Sequence, residues 1–507
     1  MAEYSANSLT WSDASLWDQF NALRIASPDA LAIVGSDGRG WTRAEIHDMA
    51  SSTMQALRAM GIGRHDRVLL EGRKTAPTLA AAIAISGVGA IICPLTPGLG
   101  KADQEILEAR LGHVALIGST EAAGRALPEL HGLRLSPGKF SAAQNRDERD
   151  AATALIGFTS GTTGVPKGVM HSSAAMNYAT RACAQIAGLQ PDDAIIGIVP
   201  LGSAPGFTFT AHFSLSLGHP LVIIDPWDPL QALKMMDRYS CGWGICVPTH
   251  LVGLIETARK GEWTAGSMLK ALAVGGSAMT PEMVADADRM LGIRVLRMFG
   301  MSECMGHAST LPGDPPERRQ NSDGMPFPGT RDEAFDVDLH MLPRGQRGQA
   351  GVRGPSLFLG YCHGMGEQEF RLTPDGFFLT GDEIVCDANG DLKVVGRIKD
   401  QIIRGGFNID PAEVEAALLK HDAIAKVAVV AVPEPRLGEQ ACAVCCIRSG
   451  HAAPALAELT GHLDSIGLSK KKWPEHLLVV DDMMYTSTGK IDKKAMAKLA
   501  VTKLALI

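Results

Sequence analysis

The chain has 507 residues, 46% hydrophobic and 20% charged, a composition typical of a globular protein that is too long for one ordinary core. Its 48 basic and 55 acidic residues give a net charge of −7, which argues against a broad cationic surface for nucleic acid. The first residues have no basic lead into an apolar run, so we expect neither a signal peptide nor a transit peptide and a cytoplasmic location.

Helical and strand patterns alternate through the first 300 residues. A helical pattern over Thr42–Met60 precedes a short β-rich run, Arg67–Leu70. Glycine and proline interrupt the apolar stretch Leu79–Leu95, which predicts a helix over Thr78–Ser86 and a buried strand over Ala90–Cys93 instead of a membrane span. Further strands are predicted at Ile195–Val199, Pro220–Ile224 and Leu272–Val274, and further helices at Pro229–Tyr239 and Pro281–Leu291. This rhythm predicts α/β layers.

The pattern changes after Gly345, where short strands punctuated by glycine indicate an antiparallel β section. A last unit begins near Asp400 and contains two helices that each open on a proline, with an apolar strand between them. Its predicted elements are the helix Pro411–Lys420, the strand Val427–Val432 and the helix Pro454–Ile466. We therefore predict an α/β protein with a large N-terminal part of layered α/β subdomains, an antiparallel β section and a small C-terminal α+β domain.

Ten cysteines are scattered along the chain, and one pair, Cys442 and Cys445, has the C-x-x-C spacing, with Cys446 next to it. A zinc site of this kind needs a second pair of Cys or His ligands at matching spacing, and none follows in the sequence. We expect reduced thiols in a buried strand, Ala441–Ile447.

A loop rich in glycine and hydroxyl residues follows the apolar segment Ala154–Phe158. Its residues are Thr159, Ser160, Gly161, Thr162, Thr163, Gly164, Val165, Pro166, Lys167 and Gly168. Glycines allow backbone N–H groups to approach a ligand, hydroxyls add donors and Lys167 offsets negative charge, so the loop suits a polyphosphate. The loop of P-loop kinases needs Ser or Thr after the lysine, whereas Gly168 stands here.

This loop resembles the phosphate-binding signature of the adenylate-forming superfamily of acyl-CoA ligases, adenylation domains and luciferases. A second segment, Met298–Glu303, resembles the motif that follows it in that family. The resemblance implies that Phe299 stacks on adenine beside Gly300, that Ser302 contacts phosphate and that Glu303 holds Mg²⁺. A hard cation beside a triphosphate neutralises charge as pyrophosphate leaves.

Further motifs follow in the family's order. Asp382, after Thr380 and Gly381, matches the aspartate that binds ribose hydroxyls, and Arg397 matches a second ribose contact. The remaining correspondences are Lys399 with the hinge, Gly405 and Gly406 with the backbone that lines the pantetheine tunnel, and Lys490 with the lysine that bridges carboxylate and α-phosphate. The resemblance thus implies catalytic roles for Lys490, Lys167 and Glu303. It also implies a large N-terminal domain with a β-barrel-like section, residues 1–398, and a small mobile α+β domain, residues 399–507.

The sequence departs from the family in two places. Ser203 stands where a histidine or aromatic residue usually gates the acyl pocket, and Ser277, after Gly276 in the adenine-side loop, precedes alanine where Ala-Pro is frequent. Because Gly202, Ser203, Ala204 and Gly206 are small, we expect extra room for a bulky hydrophobic acid. The expected pocket residues are Ser203, Ala204, Phe207, Cys246, Val247, Met301 and Met305.

The resemblance implies an ATP-dependent acid:CoA ligase that forms acyl-CoA, AMP and pyrophosphate through an acyl-adenylate, with Mg²⁺. We expect an aromatic, alicyclic or polycyclic acid; a medium-chain fatty acid and transfer to a carrier protein are the alternatives. An amino-acid adenylation domain would place an acidic residue in Gly202–Phe209, and none is there. No feature of the sequence indicates a luciferase-type oxygenase. A nucleotide-sensing or scaffold protein without catalytic activity would be expected to lose Lys490 or Glu303, and both are present. The expected partners are the acid, ATP and CoA, with no nucleic acid and no membrane span, and a homodimer is left open.

Overall fold

The computed structural model describes the chain except for residues 1, 7–8, 98–100, 120–124, 127–130, 139–147, 160–166, 264–268, 277–278, 367–369, 405–406, 435, 437, 487–488 and 505–507. For residues 101–104, 106, 125–126, 399 and 407–408 it describes the backbone alone. The chain falls into two compact units, one of residues 1–276, 281–332 and 352–378 and the other of residues 277–280, 333–351 and 379–507. The expected two-domain α/β class is confirmed, and a boundary at residue 399 remains a prediction.

One sheet of the first unit has eight strands among the described residues. In spatial order they are Gly360–Tyr361, Lys167–His171, Leu155–Thr159, Ile91–Leu95, Arg67–Glu71, Ala115–Gly118, Arg134–Pro137 and Arg125–Ala126. The four strands from Leu155–Thr159 to Ala115–Gly118 are parallel. Parallel neighbours need a crossover, and the helix Ala76–Gly87 supplies one between Arg67–Glu71 and Ile91–Leu95. This helix is buried almost all round, as its uniformly apolar sequence predicts.

The second sheet of this unit has nine strands within the described ranges. In spatial order they are Met325–Pro326, Ala308–Ser309, Val295–Phe299, Ala271–Gly275, Cys241–Cys246, Ala194–Gly197, Leu221–Ile223, Leu31–Val34 and Gly40–Thr42. The six strands from Val295–Phe299 to Leu31–Val34 are parallel to one another. A separate antiparallel pair, Glu3–Ala6 and Leu9–Ser12, lies at the start of the chain.

The helices of the first unit begin where the sequence supplies caps. Thr42 and Glu45 form a reciprocal capping box at the start of the helix predicted over Thr42–Met60. The helices are Leu16–Ala26, Arg43–Ala59, Ala76–Gly87, Lys101–Leu111, Ser173–Ala187, Pro229–Arg238, Pro248–Arg259, Pro281–Leu291 and Pro316–Asn321. A further helical stretch has three parts, Ala204–Gly206, a π-helical turn over Phe207–His212, and Phe213–Leu217. None of the helices that the structure describes is long and apolar enough to cross a membrane.

The antiparallel section expected after Gly345 is a four-stranded sheet that lies mainly in the second unit. Its strands are, in spatial order, Arg331–Phe335, Arg347–Arg353, Phe378–Cys386 and Leu392–Arg397. Along the third strand, buried residues alternate with half-buried ones, which is the period of a sheet with one covered face.

The rest of the second unit is a five-stranded sheet, in the part of the chain described, with helices on both faces. Its strands are Phe407–Ile409, Ile402–Arg404, Gly438–Ile447, Ile424–Glu434 and His476–Val479. Val427 and Val429 pack with the helices Pro411–Leu418 and Leu456–Ser465, whereas Ala428 and Val430 pack with the helix Lys493–Leu504. Both faces of this strand are covered, which explains its nearly continuous apolar sequence.

The second unit differs from the prediction at the start of one helix and agrees with it in the cysteine-containing strand. The second helix begins at Leu456 and not on Pro454, because the Glu458 carboxylate accepts a hydrogen bond from the Ala455 N–H and places the cap there. The buried strand expected around the cysteines is confirmed. Cys442 and Cys445 belong to the clusters on opposite faces of the sheet, so their thiols do not converge on one ion.

Candidate active site

The carboxyl ends of neighbouring parallel strands bring several predicted site residues to one edge of the nine-stranded sheet. The strands that end at Phe299, Gly275 and Cys246 are adjacent and in parallel register. The strand that precedes Ser203, Ala194–Gly197, is the next neighbour. Ligands of open α/β sheets bind at this edge, so the adenine motif and the expected acyl pocket follow strands that lie side by side.

The ends of the predicted phosphate loop are fixed by a strand pair. Thr159 is the last residue of one strand, Lys167 is the first of the next, and the two residues are directly paired in antiparallel register. Ser160, Gly161, Thr162, Thr163 and Gly164 lie outside the described residues, so their phosphate-binding role stays a prediction.

The Ser302–Glu303 motif is held by segments that are far away in the sequence. The Ser302 carbonyl is 2.7 Å from His171 Nε2, and the Glu303 carbonyl accepts a hydrogen bond of 2.8 Å from the Phe358 N–H. Burial lowers the pKa of His171 to about 4, so its imidazole is neutral at pH 7 and Nε2 carries the hydrogen donated to Ser302. The strand Lys167–His171 is therefore tied directly to the motif.

Tyr361 is a residue of this site that the sequence reasoning missed. Its hydroxyl donates a 2.6 Å hydrogen bond to Glu303 Oε1, and its ring centroid lies 5.2 Å from Lys167 Nζ. Both Tyr361 and Glu303 are buried, and a hydrogen bond to a charged group contributes about 1.5–3 kcal/mol. One side chain thus contacts two of the predicted catalytic residues. The only sequence signal was the position of Tyr361 in a glycine-punctuated segment.

The described groups around Glu303 fit a magnesium ion. Mg²⁺ takes oxygen ligands and is commonly held by one or two carboxylates together with substrate phosphates. Glu303 is a carboxylate with little exposure, and the Tyr361 hydroxyl that donates to Oε1 fixes its orientation. Glu303 would hold the ion and Ser302 the adjoining phosphate.

The adenine-side residues require glycine for close packing. A Cβ on Gly300 would lie 2.8 Å from the Gly306 backbone nitrogen, and one on Gly275 would lie 2.5 Å from the Met298 carbonyl oxygen. Gly276 has a φ of +84°, a conformation that glycine adopts without strain. Ser277 lies outside the described residues.

Phe299 ends its strand half-buried and contacts a buried histidine. The two ring centroids of Phe299 and His307 are 4.3 Å apart, and His307 Nδ1 is 2.8 Å from Asp332 Oδ1. His307 and Asp332 are both inaccessible to solvent. This pair fixes the imidazole that supports one side of Phe299, the residue predicted to stack on adenine.

The expected acyl-pocket residues do not all share one environment. Ala204, Phe207 and Met305 are buried in the large core of the first unit, whereas Met301 packs against a separate cluster that includes Tyr361 and Phe358. Cys246 is buried at a strand end, and Val247 precedes the helix Pro248–Arg259. Ser203 is half-buried, and its hydroxyl caps the next helical stretch by accepting from the Gly206 N–H at 3.1 Å. Their role as a pocket remains a prediction.

Close packing accounts for the small residues at Gly202, Ala204 and Gly206. A Cβ on Gly202 would lie 2.4 Å from the Thr96 backbone, and one on Gly206 would lie 2.1 Å from the Pro200 carbonyl oxygen. Ala204 faces Gly157, where an added Cβ would approach the Ala204 Cβ to 2.5 Å. These residues are small because backbone segments pack closely there, so Ser203 alone carries the argument for room.

Lys74, a second residue that the sequence reasoning missed, binds the backbone that precedes the helical stretch beginning at Ala204. Its Nζ donates hydrogen bonds to the carbonyl oxygens of Gly197, at 3.3 Å, and Ile198, at 2.6 Å. Gly197 is the last residue of the strand Ala194–Gly197, which is shorter than the predicted Ile195–Val199 at its carboxyl end, and Ile198 is the residue after it. Burial lowers the pKa of Lys74 to about 8, because desolvation penalises the charged form.

The predicted ribose-binding residues form an ion pair in the second unit. Asp382 and Arg397 are directly opposite on antiparallel strands, and Arg397 Nε donates to Asp382 Oδ1 at 2.8 Å. Asp382 is buried, whereas the Arg397 side chain is 58% exposed. Gly381, which precedes Asp382 in the same strand, has a φ of +79°, a conformation that glycine adopts without strain.

The remaining predicted residues lie in turns of the second unit. Lys399 is in the 3₁₀ turn Ile398–Asp400, with its side chain outside the described atoms. Lys490 is exposed, and its backbone N–H donates to Thr486 Oγ1 at 3.2 Å. Gly405 and Gly406 lie outside the described residues, between two strands that pair antiparallel. The hinge, CoA-binding and catalytic roles stay predictions.

Comparison with known proteins identifies a family whose models match most of this chain. The sequence model described as AMP-binding enzyme matches residues 24–362, and that of the AMP-binding enzyme C-terminal domain matches residues 413–490. The chain is 29% identical to the medium-chain fatty-acid–CoA ligase of Escherichia coli, over 97% of this chain and 92% of that protein. It is 32% identical to the salicylyl-CoA synthase/salicylate adenylyltransferase of a Streptomyces species, over 69% of this chain and 63% of that protein. The crystal structure of ATP-bound MatB from Rhodopseudomonas palustris superposes with a TM-score of 0.80 at 25% identity, covering 96% and 99% of the two chains.

The fold and the matched segments define an adenylate-forming, ATP-dependent enzyme. The chain belongs to the AMP-binding enzyme family and is a ligase of the acid–thiol class.

Proposed function

We propose that the protein converts a bulky, hydrophobic, ring-bearing carboxylic acid to its CoA thioester through an enzyme-bound acyl-adenylate, with Mg²⁺. The observation that carries the choice of acid is the half-buried Ser203 at the head of the helical stretch Ala204–Leu217, here called the helical wall, which has no carboxylate, lysine or arginine and buries Phe207 and Phe209. The similarity to both fatty-acid and salicylate ligases supports the reaction class.

The first step joins two anions. A carboxylate oxygen attacks the α-phosphorus of ATP, a bond from carboxylate oxygen to phosphorus forms, and the bond to the β-phosphate bridging oxygen breaks as pyrophosphate leaves. In this proposal the Lys490 ammonium contacts the carboxylate and the α-phosphate, while Lys167 offsets charge on the departing phosphates. A magnesium ion held by Glu303 would neutralise further phosphate charge.

The second step replaces AMP by a thiol. The sulfur of CoA attacks the acyl carbon, the thiol proton is released, and the carbon–oxygen bond to AMP breaks. Because the thiol needs a different approach from ATP, we propose that rotation at Lys399 withdraws Lys490 and presents Gly405 and Gly406 to the pantetheine arm. The position of Lys399 in a short turn between a strand and the C-terminal α+β module is compatible with a hinge.

The composition of the helical wall favours an uncharged, hydrophobic acyl group. Residues 200–217 contain no Asp, Glu, Lys or Arg. Phe207 and Phe209 are buried in the same core cluster as Met305, an adaptable side chain. A histidine or aromatic residue in place of Ser203 would occupy volume at the head of this wall, and the serine leaves it to the substrate.

A medium-chain fatty acid is the second candidate. The resemblance to the E. coli medium-chain ligase covers 97% of this chain, and an alkyl chain is also an uncharged, hydrophobic acyl group. Transfer to a carrier-protein thiol would use the same acyl-adenylate.

The test compares kcat/KM for benzoate-type and alicyclic acids with that for acetate and octanoate. The informative variant is Ser203→His, which restores the bulk that the family usually has, and its matched control is Ser203→Thr, which keeps a hydroxyl cap. We expect the wild type and the threonine variant to prefer ring-bearing acids. In the histidine variant, kcat/KM for ring-bearing acids should fall about tenfold or more, which is the scale of one misfitted group in a pocket. The value for acetate should fall less.

Two outcomes would refute this choice of acid. A wild-type preference for octanoate would favour the fatty-acid candidate. Equal losses of kcat/KM for every acid in Ser203→His would show that residue 203 does not contact the acyl group selectively. Formation of acyl-adenylate without CoA thioester would favour a carrier-protein acceptor. Unfolding temperatures of both variants show whether loss of the cap, which costs about 1 kcal/mol, explains the kinetics.

A further inference from the structure

We propose that Tyr361 is a positioning residue that holds the Glu303 carboxylate and the Lys167 ammonium in the arrangement that binds MgATP. The inference rests on the proposed magnesium role of Glu303. It does not depend on which acid the enzyme uses, because it concerns the nucleotide site alone.

The Tyr361 hydroxyl contacts the Glu303 carboxylate directly. The two oxygens are 2.6 Å apart and buried, and an ionised carboxylate can only accept, so the phenol donates. A glutamate side chain has three rotatable bonds, and a fixed donor on Oε1 restricts its rotation. The carboxylate is thereby oriented before any metal arrives.

The Tyr361 ring lies beside the Lys167 ammonium. The Lys167 ammonium lies 5.2 Å from the ring centroid, which is within the range of a cation–π attraction. The Lys167 stem also lies close to Gly366, where an added Cβ would be 3.1 Å from Cγ. The ring therefore favours one position of the lysine, while the hydroxyl of the same residue fixes the glutamate.

Tyr361 is itself anchored through its backbone and its ring. Its backbone pairs with Val169 in the eight-stranded sheet, and its carbonyl accepts a 2.8 Å hydrogen bond from Arg149 Nη2. The ring packs edge-on against Phe358, with centroids 4.9 Å apart, and the Phe358 N–H holds the Glu303 carbonyl. A side chain anchored in this way can impose its geometry on neighbours that have more freedom.

A purely structural role would require only the ring. Phenylalanine would fill the same buried space and preserve the ring contacts with Phe358 and Lys167. Removal of the hydroxyl alone therefore tests positioning of Glu303 without changing the packing. Tyr361→Phe is thus the informative substitution. Tyr178→Phe is a matched control, because the Tyr178 hydroxyl is also buried and donates to the Pro328 carbonyl at 2.8 Å, away from these motifs.

The experiment measures nucleotide affinity by isothermal titration calorimetry with ATP and excess Mg²⁺, and with ATP and EDTA. We expect Tyr361→Phe to weaken binding of MgATP about tenfold, equivalent to about 1.4 kcal/mol, with metal-free ATP binding nearly unchanged. The Mg²⁺ concentration for half-maximal pyrophosphate release should rise, and excess Mg²⁺ should restore kcat. Tyr178→Phe should match the wild type in every nucleotide measurement.

The inference would be overturned if Tyr361→Phe bound ATP equally more weakly with and without Mg²⁺, or if it kept the wild-type affinity for MgATP. If the wild type itself bound ATP equally with and without the metal, the proposed magnesium role would fail first. Should Tyr361→Phe not fold, ¹⁹F NMR of the wild-type chain with 3-fluorotyrosine at its five tyrosines provides the test. The Tyr361 resonance, assigned through Tyr→Phe changes at the other four positions, should shift when Mg²⁺ is added to the ATP complex, and an unmoved resonance would refute the proposal.

Discussion

Replacing Lys490 with alanine should separate the two half-reactions of this enzyme. The proposal gives the Lys490 ammonium a role only while the carboxylate attacks ATP. Loss of one such charge contact lowers a rate by about 10², or about 2.7 kcal/mol. Thioester formation from a supplied acyl-adenylate should stay within about threefold of the wild type, a difference below 1 kcal/mol.

The structure predicts that this loss is not caused by unfolding. The contacts that fix the local backbone are made by main-chain atoms of Lys490, which donates to Thr486 Oγ1 at 3.2 Å and accepts from the Thr486 N–H at 2.7 Å. Alanine retains both of these bonds, and the side chain is exposed. We therefore expect the free energy of unfolding to change by less than about 0.5 kcal/mol.

The assay measures pyrophosphate release for the first half-reaction and acyl-CoA formation from synthetic acyl-adenylate for the second. Lys494→Ala is the matched control, because this lysine is also exposed and only four residues away. Equal losses in the two half-reactions would refute the assignment, as would a similar loss of adenylation in Lys494→Ala.

Three further predictions follow from the same structure. Lys399→Pro, which fixes φ near −65°, should lower overall thioester formation at least about tenfold and spare pyrophosphate release; an unchanged overall rate would exclude the hinge. Burial lowers the pKa of His212 to about 3, well below the value near 6.5 in the unfolded chain. The neutral imidazole therefore contributes fully to the free energy of unfolding above about pH 6.5, and this contribution decreases as the pH falls, by about 2 kcal/mol between pH 7 and 5. Urea unfolding of His212→Gln, whose amide can still donate to Asn177, should therefore show a smaller pH dependence than the wild type, and an identical dependence would contradict this. Gly157→Ala should destabilise the protein by about 1–3 kcal/mol through its 2.5 Å approach to Ala204, and Ala204→Gly in the same chain should recover part of the loss; wild-type stability of Gly157→Ala would disprove the close packing.

The sequence alone determined the elements whose signals are local. Thr42 and Glu45 supply both halves of a capping box, so the start of their helix could be predicted from two residues. The helix Pro281–Leu291 was predicted with the bounds that the structure has, since its proline and its apolar period lie within the helix itself. The motifs around Lys167 and Glu303 identified the superfamily, because their residue types and order are properties of the chain.

Only the tertiary structure decided what those residues contact. Glu303 and Lys167 are 136 positions apart, and nothing in either motif indicates that Tyr361 touches both. The small side chain of Ala204 suggested an open pocket, whereas it faces Gly157, about fifty residues earlier in the chain. A helix cap or an apolar period is set by neighbours within one turn, but the space beside a side chain is set by whichever segments the fold brings against it.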